Sequence, residues 1–152
     1  MSETPFWRRQ LPAIIIGLGN IFAIGLGGGL PVFSVLLGFP VGWWHGRRHG
    51  AEGVTREALR SVLLAAGALA GASFIVLLIV WGPHLPRAFD PAVDAGAWGI
   101  PLILYTSQAS KIGWFALMML GGPLLQFMAF VTTAAVALVL RKTVAGSDAE
   151  SA

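Results

Sequence analysis

The chain has no cysteine. Disulfides, thiolate nucleophiles, Cys-ligated zinc and thiolate-held clusters are thereby excluded. Charge is scarce as well: Asp, Glu, Lys and Arg make up 11% of the 152 residues, about half the usual fraction in a soluble domain. A soluble fold of this size has to cover itself with polar groups, and this sequence has too few. Apolar residues account for 56%. The expected class is an all-α integral membrane protein with four transmembrane helices, a single polytopic domain whose exterior faces lipid.

A second scarcity narrows function. The long apolar segments contain no Asp, Glu, Lys, Arg or His at depth, the residues on which proton-coupled transport and voltage sensing depend. A small multidrug-type exporter would carry an acid within a helix, and this chain lacks one. Nucleic-acid binding is also excluded. The net charge is only +3, and the basic residues flank hydrophobic segments instead of forming a patch interleaved with aromatics. Eight Arg against two Lys, with abundant Ala and Gly, points to a bacterial genome and an inner-membrane location.

What is present is organised around Leu11–Trp44, thirty-four residues without a charge. As one helix it would be about 51 Å long, against a hydrocarbon core of about 30 Å. Gly27-Gly28-Gly29-Leu30-Pro31 would break it in any case. A short Gly-rich hairpin is expected, with arms at 11–26 and 31–46. It either crosses the bilayer or dips in as a re-entrant loop. The first arm is about 24 Å long and the second, counted to Trp44, about 21 Å, both short for crossing, and continuing the second arm to His49 lengthens it.

Residues 1–10 read as a short tail on the cytoplasmic side, with Trp7, Arg8 and Arg9 as its interfacial anchor. His45–Arg60 is the strongest cytoplasmic-loop candidate, and Thr55 can cap the helix that follows. A third helix is expected over 59–81, ending at Trp81-Gly82-Pro83. Residues 82–110 form an external loop whose Trp98–Tyr105 stretch can lie in the interface. A fourth helix is expected over 112–140, kinked at Gly121-Gly122-Pro123, and 141–152 is expected to be a disordered tail. Four crossings place eight basic residues inside (Arg8, Arg9, Arg47, Arg48, Arg56, Arg60, Arg141, Lys142) and only Arg87 and Lys111 outside. Three crossings weaken that bias to six against four. All six tryptophans then fall at interfaces.

Glycines at 38, 42, 46 and 50 recur every fourth residue. On a helix they form a smooth face that admits a neighbouring backbone. Gly67 with Gly71 makes a second such pair, and Ala129, Thr133 and Ala137 a third. Helix packing is the expected role of Gly38, Gly42, Gly67 and Gly71, within the protomer or in a homo-oligomer. Asn20 and Gln126 are the strongly polar groups at hydrocarbon depth, expected to make intramembrane polar contacts: an interhelical bond, or the lining of a path. Ser34, Ser73, Thr132 and Thr133 can satisfy their hydroxyls on the preceding turn. Arg8, Arg9, Arg47, Arg48, Arg141 and Lys142 are assigned to lipid headgroups and topology.

No catalytic or metal constellation is expected. His45 and His49 stand four apart, but no carboxylate accompanies them at ligand spacing. His84, Arg87, Asp90 and Asp94 share the external loop, the one place where acid–base chemistry could be assembled. No cofactor is named by these residues. The expected function is that of an accessory or structural partner in a membrane assembly, with the lipid bilayer and either a membrane-protein partner or a second copy of the chain as its contacts. The alternatives are a small oligomeric channel or transporter, and an outer-surface enzyme.

Overall fold

The structure, a computed structural model, describes residues 6–27, 29–49, 54–100, 102 and 104–150. The side chains of 6–9, 49, 98 and 142–150 lie outside that description. Among the described residues the regular elements are all helical. They are α1 (Phe6–Leu26), α2 (Val32–His49), α3 (Arg56–Trp81), a 3-10 turn (Gly82–His84), α4 (Leu85–Phe89), a second 3-10 turn (Gly96–Trp98), α5 (Ser107–Ala116), a π-turn (Leu117–Gly121) and α6 (Gly122–Glu150). Two continuous helical stretches, Arg56–Phe89 and Ser107–Arg141, are long and apolar enough to cross a membrane.

Several boundaries differ from expectation, each for a local reason. The third helix ends at Trp81 as expected, but helical backbone goes on past Pro83. The chain tightens into a 3-10 turn, with the Leu85 N–H bonding the Gly82 carbonyl, and continues as α4. Proline is tolerated in the first turn of each new segment because its missing N–H has no partner to lose there. The break expected at Gly121-Gly122-Pro123 takes the form of the π-turn. The Gly122 N–H reaches back five residues to the Leu117 carbonyl, which opens the ladder just before the proline. The fourth helical stretch begins at Ser107, where Thr106 accepts a bond from the Ala109 N–H at 3.1 Å. Helical backbone runs on past Arg141 to Glu150. Thr55 caps α3 as expected, accepting from the Ala58 N–H at 3.1 Å.

The hairpin turn is wedged between two other elements. Gly29 adopts φ +85°, the left-handed region that favours glycine. Its carbonyl accepts a bond from the Trp81 indole N–H at 2.9 Å. A Cβ built at Gly29 would stand 3.1 Å from that indole nitrogen. On the other side Pro31 lies so close to Gly122 that a Cβ there would collide with its ring. The tip of the hairpin is therefore level with the end of α3 and the start of α6.

The helices run up, down, up and down. α2 and α6 are parallel and packed backbone to backbone. A Cβ on Gly38 would stand 2.8 Å from the Gln126 carbonyl oxygen, one on Gly42 would strike the Phe130 carbonyl and the Thr133 hydroxyl, and one on Gly46 would strike the Ala134 carbonyl. Glycine at three successive turns is what admits α6 to this distance. Opposite this seam, Ala58, Val62, Ala66 and Leu69 of α3 meet Phe130, Ala134 and Leu138 of α6 in the main apolar core. A smaller cluster at the far end joins Ala88, Phe115 and Met119.

Candidate functional site

Asn20, Ser73 and Gln126 come from α1, α3 and α6 and meet in the interior, each no more than 1% exposed. The Asn20 amide donates to Ser73 Oγ at 2.8 Å, the Ser73 hydroxyl donates to Gln126 Oε1, and the Gln126 amide donates to Asn20 Oδ1 at 2.9 Å. In these three bonds each residue gives one and takes one, so they close a ring; the Ser73 oxygen also lies 3.2 Å from Asn20 Oδ1. Such a ring is cooperative, because each bond polarises the next. Gly38 of α2 lies against the Gln126 backbone, so all four long helices converge at this level. No buried side-chain nitrogen or oxygen among the described residues lacks a partner. Amide and hydroxyl groups do not titrate in the ordinary pH range, so the ring moves no protons. It fixes the register and rotation of three helices.

Asn20 and Gln126 were expected as polar contacts, and the structure joins them to each other both directly and through Ser73. Ser73 itself was read as uninformative, a hydroxyl able to bond its own helix. Ser34 and Thr133 do bond backwards, to Pro31 O at 2.7 Å and to Ala129 O at 2.8 Å, whereas Ser73 reaches across to α1 and α6. Depth was the available signal. Asn20 lies six residues before the end of α1 and Ser73 eight before the end of α3, similar heights on two parallel helices.

The glycine pairs divide. Gly38 and Gly42 lie in the α2–α6 seam, with Ala129 and Thr133 as their opposing residues. On α3, a Cβ built on Gly67 or Gly71 would meet nothing within 4 Å among the described residues. Among the basic residues, Arg47, Arg48 and Arg141 are exposed at one end of the bundle. The Arg141 guanidinium donates to the Arg47 carbonyl, tying the ends of α2 and α6 together. The side chains of Arg8, Arg9 and Lys142 lie outside the described residues. His45 Nε2 lies 3.2 Å from Ser61 Oγ, and the side chain of His49 also falls outside the description. No group of metal-ligating side chains occurs among the described residues.

At the opposite end, the segment between α4 and α5 is pinned by the first turns of α5. Lys111 is wholly buried, and its ammonium donates to the carbonyls of Asp90 at 2.6 Å and Val93 at 2.5 Å. Ser110 exchanges bonds with the Leu104 backbone at 2.9 and 3.1 Å. Ser107 accepts from the Ala95 N–H at 2.8 Å and donates to Asp94 Oδ1 at 3.1 Å. Lys111 was counted only as an external charge. Its role as a clasp escaped notice because backbone acceptors carry no residue signature.

The candidate acid–base group is not assembled. Asp90 caps its own turn at the Ala92 N–H, 2.9 Å away, and Asp94 faces Ser107. His84 and Arg87 instead line a pocket of about 240 Å³ walled by Trp81, Trp114 and Phe115, with neither carboxylate on its lining.

These features define a class: an all-helical bundle with two long apolar helices, a glycine seam and a closed buried polar ring. No family model, curated protein or solved structure matches the chain.

Proposed function

We propose that the chain is a four-crossing membrane protein that serves as an accessory or structural subunit of a larger membrane assembly. The observation that carries this reading is the inverted distribution of polarity. Large apolar side chains stand outward on every long helix, among them Leu18 at 62% exposure, Leu64 at 64%, Ile79 at 69% and Leu120 at 63%. The polar side chains Asn20, Ser73 and Gln126 are turned inward. In water such an exterior would drive aggregation; in lipid it is the expected solvent-facing surface.

Sealing of the interior supports a structural role over transport. The residues that would line a path bond to one another, and a route through the protomer would have to open the ring. The separation of Asp90 and Asp94 from the His84 pocket likewise gives the surface-enzyme reading no geometric support. The unoccupied Gly67–Gly71 face of α3 is the surface offered to another helix.

The experiment is gentle extraction of the native chain followed by in-cell crosslinking. Co-migration with a partner is expected, lost in Gly67→Leu/Gly71→Leu, while the variant keeps its helicity and melting temperature. A lone monomer without crosslinks overturns the reading.

A further inference from the structure

Two apolar grooves flank the first half of α1. One, of about 560 Å³, opens between α1, α2 and α3 over Phe130; the other, of about 510 Å³, lies between α1 and α2. They share Pro12, Ile16, Val41 and Trp44 as common walls. The space exists because the residues facing it are small. Ala13, Gly17, Ala68 and Ala72 line the first groove and Gly19 the second, and a Cβ on either glycine meets no atom within 4 Å. Ala13, Ala68 and Ala72 of the first groove and Leu11 and Ile15 of the second are exposed, so both grooves open on the outer face of the bundle.

Only one end of the pair is charged. Arg48 and His45 line the mouth of the first groove. The Arg48 guanidinium stands 5.1 Å over the ring of Trp44, a wall common to both grooves. The cation is thus held where the two grooves meet. Arg47, Arg56, Arg60 and Arg141 are exposed on the same end of the bundle. From Arg48 to Leu37, which lines the second groove, α2 rises about 16 Å, close to the half-thickness of about 15 Å for one leaflet's hydrocarbon.

We propose that these grooves hold one anionic diacyl phospholipid of the leaflet on the basic side, with a chain in each groove and its phosphate on Arg48. Two chains joined at one head match two grooves sharing one wall and one cation. A zwitterionic lipid fits the same grooves but carries an ammonium that the surrounding arginines repel. A fatty acid or detergent would fill one groove and leave the other open. The inference rests on the membrane reading above.

The test is native mass spectrometry of the full chain purified from nanodiscs containing equal phosphatidylglycerol and phosphatidylcholine of matched chains. One retained phosphatidylglycerol per chain is expected, favoured roughly fivefold, the effect of about one interfacial arginine. Arg48→Gln should abolish the preference while lipid retention persists. Ala68→Trp should lower retention of both lipids about tenfold by filling the groove. Gly17→Leu fills it from the α1 side and keeps the test valid if Ala68→Trp fails to fold. Arg87→Gln, at the far end, should change nothing. Equal retention of the two lipids, or Arg48→Gln and Gly17→Leu both behaving as wild type, overturns the site. A chain that resists alkaline carbonate extraction yet retains no lipid leaves the membrane reading standing and removes the site alone. A chain released by carbonate overturns both.

Discussion

Ser73 has one hydroxyl, and its removal orphans two other groups. In Ser73→Ala the Asn20 amide loses its acceptor and Gln126 Oε1 loses its donor, both in a dry interior. A single interhelical hydrogen bond in a bilayer averages about 0.6 kcal/mol, but stranding buried polar atoms costs about 1–3 kcal/mol. The second effect decides. Ser73→Ala should lower unfolding stability by about 1–3 kcal/mol, whereas the triple variant Asn20→Leu, Ser73→Ala, Gln126→Leu, which leaves no polar atom behind, should sit closer to wild type. Denaturant titration in detergent measures the difference, and strict additivity of the three substitutions would show that no ring exists. Lys111 gives the complementary case. Lys111→Met removes two bonds to the carbonyls of Asp90 and Val93 without touching the helix seam. Hydrogen exchange should quicken across residues 90–100 while the bundle's melting point changes little. Asn20 and Gln126 could be singled out in the sequence because an amide among apolar neighbours needs a partner. Residue type alone did not single out Ser73, since a hydroxyl has an intrahelical alternative that two of its counterparts, Ser34 and Thr133, take; only its depth, matched to that of Asn20, marked it.

Among the elements, identical motifs have unequal consequences. Gly42 and Gly67 each begin or continue a four-residue spacing of small residues, and nothing in the sequence separates them. The structure does: a side chain at 42 collides with the Phe130 carbonyl and Thr133, and one at 67 meets nothing. Gly42→Leu should therefore force α2 and α6 apart, costing about 2 kcal/mol or more, the range of overpacking in a tight core. Gly67→Leu should stay within about 0.5 kcal/mol in the isolated chain, as surface changes do. Thermal melts of the two variants in the same detergent test this directly, and equal losses would mean that α3 is packed in a way the structure does not contain. Element type was legible for the four long helices because apolar runs bounded by Thr55, Pro31 and paired arginines leave little choice, but not for the short helical turns of 82–98. Pro12 and Pro40 sit inside continuous helices, and both rings line a groove instead of a packed contact. Pro123 is absorbed by a π-turn, a change of ladder that composition does not announce.

For the whole molecule the deciding relation is the height of the hairpin turn. Taken alone, α1 and α2 are about 32 and 27 Å long, one just above and one just below a hydrocarbon core of about 30 Å. Length does not separate a crossing hairpin from a re-entrant one. The contacts do better: the Gly29 carbonyl bonds the indole of Trp81, and Trp81 is the last residue of α3. A helix of 26 residues spans about 39 Å. If α3 crosses, the turn that touches its end has crossed too. The absence of cysteine makes this easy to test, since any introduced thiol is unique. Leu30→Cys should react with an impermeant maleimide added to intact cells, as should Ala92→Cys in the segment after α4. Arg60→Cys should react only after permeabilisation. Labelling of Ala92→Cys with Leu30→Cys protected until permeabilisation would return the hairpin to the re-entrant class. It would also require Trp81 to lie inside the bilayer, contrary to the exposed polar groups of His84, Arg87 and Asp90 that follow it.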